Sequence, residues 1–239
     1  AVLLGLDEIS RVEIHNQSKL FSLIQDREVD GAKMAFRYLY AMMNPPAGTG
    51  DFVEYEGSEP LEFGLADRFA LYVSMPGLTE MDSPMIMNVA KAASSRGAEF
   101  NEYLDENVDV GDADGNYVNI EVQLEFRRFM GEARGKFLEN MADKDRFNAV
   151  IRYVTSFFNK MKSNTDFIPF DGRHIGMTVR AIMALHSIYQ TRGLGNMEKA
   201  AETIMTHSYP NVAIGKGYDD APVKNVHAIV SRETLSSKS

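Results

Sequence analysis

The sequence predicts an all-α protein, a single helical core with extended N-terminal and C-terminal arms. Three observations carry that expectation. Across residues 143–192, apolar side chains recur at three- and four-residue intervals, the period of one helix face. Residues 120–141 repeat the pattern. Both ends of the chain instead mix apolar and polar residues without a steady period, or break it with Pro and Gly. At 239 residues with 44% hydrophobic content, the chain can bury one substantial core, read here as one domain with tails.

The reading divides the chain into an arm over residues 1–29, a helical core over 30–207 and a tail over 208–239. Residues 1–29 are too apolar to stay in water and too irregular for a core of their own. They read as an arm docking on its own domain or on a neighbour, or as an ordinary first helix packing in cis. Ala32, Phe36, Leu39, Tyr40 and Met43 share a face, which predicts a helix over 30–43, ended by Pro45 and Pro46. Leu65, Phe69, Tyr72 and Val73 suit a short helix over 65–75, with a strand as the alternative. Ser83 and Pro84 read as N-cap and N1 of a further helix. Residues 108–119 read as a loop. The next helix, over 120–141, is lined by Leu124, Phe129, Ala133, Phe137, Leu138 and Met141 and crowded with Arg127, Arg128, Arg134 and Lys136.

The two strongest helices follow. Phe147, Val150, Ile151, Val154, Phe157, Phe158 and Met161 form one stripe. Ile175, Val179, Ile182, Leu185, Ile188 and Tyr189 form the other, closed by Gly193 at C′. The link between them, residues 163–174, holds Pro, Gly, two Phe and two Asp, so it turns sharply while offering aromatic and charged groups. Asn196 caps a shorter helix. From Ser208 onward Pro210, Gly215, Gly217 and Pro222 argue against a long helix.

Composition narrows the function. There is no Cys, hence no disulfide framework, thiolate zinc site or cysteine nucleophile. No apolar run approaches the roughly 20 residues of a membrane span, and the first residues lack the basic flank of a signal peptide. The chain begins at Ala1 rather than Met, so it is expected to be cut from a longer precursor. The net charge of −9 hides an asymmetry: residues 1–121 hold 8 Lys and Arg against 22 Asp and Glu, whereas residues 122–192 hold 12 against 7. Such a chain can attract copies of itself head to tail, and its basic middle can meet phosphates.

Residue by residue, most chemistry is unsupported. An EF-hand register over 110–121 fails at position one, where Val110 stands, and the register starting at Asp112 puts Tyr117 where Gly is required. No metal or cofactor is expected. The five histidines are scattered, and His186 reads as a hydrogen-bonded core residue. No nucleophile elbow, zinc-protease, Walker A or dinucleotide motif occurs, and no enzyme is proposed. The basic middle remains. Arg127 and Arg128 can engage phosphate through bidentate forks, Asp171 can hold such a fork in place, and Ser95 or Ser94 can add a hydroxyl. Phe167 or Phe170 offers a face to a base. The alternative is plain surface arginines and a helix-capping Asp.

FRRFMGEARGKFLENM, from residue 126, resembles the helix of potyvirus coat proteins that carries the RNA-contacting Arg, and IPFDG, from residue 168, resembles the later segment carrying its partner Asp. Ser95 precedes them in the matching order. The resemblance is to coat proteins of flexible filamentous plant viruses, and covers about residues 125–172. It implies an all-helical core whose arms bridge neighbouring subunits, polymerised around single-stranded RNA. Arg127 or Arg128 would then contact phosphate, Asp171 would orient that Arg, and Ser95 would hydrogen-bond the backbone. The resemblance further implies residence in the virion and the host cytoplasm, with no membrane partner. The competing expectation is a soluble helical protein that binds a ligand or partner, without nucleic acid, through Met-rich faces.

Overall fold

The computed structural model describes residues 3–36, 38–46, 58–75, 81–85, 87, 120–164, 167 and 172–235. Most of these are helical, and two small sheets accompany the helices. The chain divides into two compact units, one of Ala1–Tyr72 with Phe137–Ser239 and one of Val73–Lys136.

In chain order the elements are β1 (Leu3–Leu6), a 3₁₀ turn (Ile9–Arg11), α1 (Ile14–Gln17), α2 (Leu20–Gln25), β2 (Glu28–Val29), β3 (Ala32–Lys33), β4 (Tyr38–Ala41) and α3 (Phe63–Ala66). After these come α4 (Ile120–Ala142), α5 (Lys144–Met161), α6 (Gly172–Arg192), α7 (Met197–Thr206) and α8 (Ala221–Thr234).

The core of the first unit is a ring of four helices: α5 packs on α6, α6 on α7, α7 on α8 and α8 on α5. Asp143 caps α5, its carboxylate accepting from the Arg146 amide at 3.0 Å. Asp145 in the first turn and Lys160 in the last suit the helix dipole. Val150, Tyr153, Val154, Phe157, Phe158 and Met161 then fall on one buried face. Helix α6 buries Thr178 and Ser187 as well as Val179, Ile182 and Met183. It can do so because both hydroxyls donate back to carbonyls one turn earlier, His174 O at 2.9 Å and Met183 O at 2.8 Å. It stops where expected, at Gly193 with φ +66°, and the Leu194 amide donates to Tyr189 O at 3.0 Å in the Schellman pattern. Asn196 caps α7 by accepting from the Lys199 amide at 2.9 Å.

A smaller apolar cluster of Ile9, Leu61, Leu65, Ala66 and Ala213 lies in the same unit, with Leu20, Phe21 and Ile24 packed against it. Gln17, fully buried, stitches it together. Its amide donates to Val12 O at 3.0 Å and Pro60 O at 3.3 Å, and its oxygen accepts from the Glu62 amide at 2.7 Å. The described N-terminal residues therefore pack in cis, and extended arms are not part of what the structure shows.

Several expectations are corrected. Residues 30–43 are not a helix: β2 and β3 form an antiparallel hairpin and β4 pairs in parallel with β1, Leu3 opposite Tyr38 through Leu6 opposite Ala41. Asp30 (φ 47°) and Gly31 (φ 80°) are both left-handed, the demand of a tight hairpin turn, so the apparent helical spacing began inside a turn. Residues 65–75 are helical only up to Ala66, in α3. Residue 83 is already helical, and Asp82 is the capping side chain, accepting from the Met85 amide at 2.9 Å. After Ser208 there is a 14-residue helix, α8. Pro222 occupies its first turn, where no amide is needed and the ring favours helix. The proposed loop over 108–119 lies outside the described residues.

Candidate nucleic-acid interface

Helix α4 carries the basic residues that the sequence singles out. Glu, Gln, Leu, Arg, Met, Ala and Lys dominate it and favour helix, while Gly131 and Gly135 each cost about 1 kcal/mol relative to Ala. The helix turns Ala133 and Asn140 inward, with Phe129, Phe137 and Met141 half-buried. Leu124 and Leu138, expected on the apolar face, are instead 57% and 58% exposed.

The last turn of α4 is fixed by a buried polar knot. Asn140 donates to Ser187 Oγ at 2.8 Å and to Gln190 Oε1 at 2.9 Å, both on α6, and accepts from the Arg146 guanidinium on α5. Arg146 also pairs with Asp143 at 3.5 Å. One residue of the basic middle is thus used internally. Lys160 is a second, 3.5 Å from Glu233 on α8.

Arg127, Arg128 and Arg134 are exposed. Arg128 pairs with Glu132 one turn on, Nε to Oε1 at 3.3 Å, an exposed contact worth a few tenths of a kcal/mol that still offsets its charge locally. Among the described residues neither Arg127 nor Arg134 forms an ion pair. Sequence spacing picked Arg127 and Arg128 from the FRRF run; the seven-residue interval from Arg127 to Arg134 was the signal that Arg134 shares a face with it. Ser95, Ser94, Asp171 and Phe170 lie outside the described residues. Phe167 is described, but it is buried at 7% exposure, edge-on to Tyr209 with ring centroids 4.7 Å apart, and so belongs to the core.

Four of the five histidines are held in internal contacts. His174 is fully buried with Nδ1 3.5 Å from Asp67 Oδ1. His207 Nδ1 lies 3.2 Å from Tyr72 O. His186 is held below its ordinary pKa by burial, reinforced by the Arg146 charge and opposed by a hydrogen bond with the Asn196 backbone. His227 Nδ1 lies 2.8 Å from the Tyr153 hydroxyl; burial depresses the imidazole, and Glu202 and Glu198 partly restore it. The same burial raises the Tyr153 phenol, again helped by those two carboxylates. His227, Glu198 and Glu202 also line an open recess of about 370 Å³, together with Asn196, Lys199, Ala228 and Arg232.

Among the described residues no cluster of three or more His, Asp or Glu is placed to hold a metal ion. None of the described helices is long and apolar enough to cross a membrane. No known protein family, curated protein or solved structure matches this chain.

Proposed function

We propose that this chain is a viral coat protein that polymerises into a helical filament and encapsidates single-stranded RNA through a basic groove. The supporting observation is the outward face of α4, where arginines stand exposed in a chain whose other basic residues partly serve internal contacts. Arg127 or Arg128 meets phosphate, Asp171 orients that guanidinium, and Ser95 adds a hydrogen bond to the strand. The two ends of the chain bridge subunits, and the protein resides in the virion and host cytoplasm. Net charge does not oppose this, because polymerisation lines up the basic faces while acidic residues face elsewhere. Binding of this kind is largely blind to sequence and weakens as salt rises.

A second reading, a soluble helical protein that binds a ligand or partner without nucleic acid, is favoured by its exposed methionines. Met34, Met42, Met75, Met85, Met87 and Met130 are each at least 41% exposed, an adaptable contact surface. Size-exclusion chromatography with negative-stain microscopy, run with and without single-stranded RNA, separates the two. Rods or rings support the coat-protein reading. A compact particle that stays compact with RNA supports the other and ends the first.

A further inference from the structure

The arrangement of side chains around α4 divides its charges into two sides. On a helix, residues three, four, seven and eight apart lie along one edge. Arg127, Met130 and Arg134 follow that rule, and so do Phe126, Met130 and Arg134. The four therefore form one continuous strip, with Arg127 and Arg134 about 10.5 Å apart along the axis. Every member is exposed, Phe126 at 59% and Met130 at 41%. The acidic residues Glu125, Glu132 and Glu139 recur every seven residues and lie roughly opposite the strip. Arg128 is turned about 100° from Arg127, towards those carboxylates, and pairs with Glu132.

An exposed phenylalanine beside two guanidiniums that form no ion pair among the described residues has a chemical use. Single strands are held by guanidinium forks on the phosphates and by aromatic rings on which bases stack, since every base has a π-face. A strand running along this edge meets Arg127 and Arg134 with its backbone and Phe126 with a base, and stays clear of the acidic side. Beside the strip, a Cβ added at Gly131 or Gly135 meets none of the described residues within 4 Å, which leaves room for an approaching backbone on that flank.

Resting on the RNA-binding reading above, we infer that Arg134 and Phe126 contact the nucleic acid together with Arg127, and that Arg128 does not. The occupant is a single-stranded polynucleotide held by phosphate charge and stacking.

The test is fluorescence anisotropy of labelled homopolymeric single-stranded RNA on the full chain and on R127A, R134A, F126A and R128A, across a salt series. The substitutions sit at exposed positions, and circular dichroism checks that each variant keeps its helices. R127A and R134A should each reduce the slope of log affinity against log salt by about 0.7, one phosphate contact on a single strand. F126A should weaken binding about fivefold or more and leave the slope unchanged, as loss of one stacked base does. R128A, whose charge Glu132 already offsets, should change the slope less than R127A or R134A does. If R134A and F126A bind like the parent, or R128A is the variant that loses a phosphate contact, this assignment is overturned while the RNA-binding reading stands. If the parent itself binds no RNA at low salt, both are overturned.

Discussion

Asn140 offers the sharpest test of how α4 is attached, because one small side chain joins three helices. It is 2% exposed, with both amide hydrogens donated to α6 and its oxygen accepting from Arg146 on α5. Replacing it with Ala removes two neutral hydrogen bonds, each worth about 1 kcal/mol net, and one to a charged group, worth about 1.5–3 kcal/mol when fully enclosed. The last figure must be discounted, since the Arg146 side chain is 40% exposed and keeps its contact with Asp143. Gln190 is exposed and regains water, and the Ser187 hydroxyl keeps its bond to Met183 O. The expected cost of Asn140→Ala is therefore about 2–4 kcal/mol. Urea unfolding measures it as a lower midpoint at unchanged slope. Gln190→Ala, which removes one exposed acceptor, should cost under about 1 kcal/mol. An Asn140→Ala variant within about 0.5 kcal/mol of the parent would refute the reasoning, because that is the range of an unremarkable surface change.

Phe157, fully buried and edge-on to Phe158 at 6.0 Å, should cost about 3–5 kcal/mol as Phe157→Ala, whereas Leu124→Ala, at an exposed site, should stay within about 0.5 kcal/mol in the same urea assay. Gly31→Val should destabilise by about 1–2 kcal/mol purely through its left-handed backbone, since a Cβ there meets nothing within 4 Å. Stability should also fall as pH drops below about 6.5. His186 and His227 are held neutral in the fold by burial, so the unfolded chain gains protons the native state lacks. A urea midpoint that stays flat between about pH 7.5 and 5.5 would contradict this, and a shallower slope in His186→Gln would support it.

The helical core could be read from the sequence because its signals were local and agreed. Asn196 is a cap at the residue expected, Gly193 closes α6, and the stripes through Phe157 and Ile182 mark the buried faces, although Ile151 is 36% exposed. The reading failed where tertiary pairing outweighed period. Ala32, Phe36, Leu39, Tyr40 and Met43 fit a helix face by spacing, but parallel pairing of Tyr38–Ala41 with Leu3–Leu6 makes a strand there. Pro222 counts as a breaker by residue type alone, but its position in a first turn makes it a starter. On α4 the apolar spacing misleads in the opposite sense: Leu124 and Leu138 are outward, a fact that only burial discloses. The basic site was legible in part. The FRRF run drew attention to Arg127 and Arg128, but charge alone could not show that Glu132 pairs with only one of them.

Nuclease protection is the most direct measurement of the central claim, that this chain encloses a single-stranded RNA along a basic face. Purified full chain mixed with single-stranded RNA at low salt should shield the strand from digestion, and the shielding should disappear as salt is raised. It should also disappear when Arg127 and Arg134 are both replaced by Ala. RNA digested as fast with the protein as without it, at the lowest salt, would contradict the claim outright.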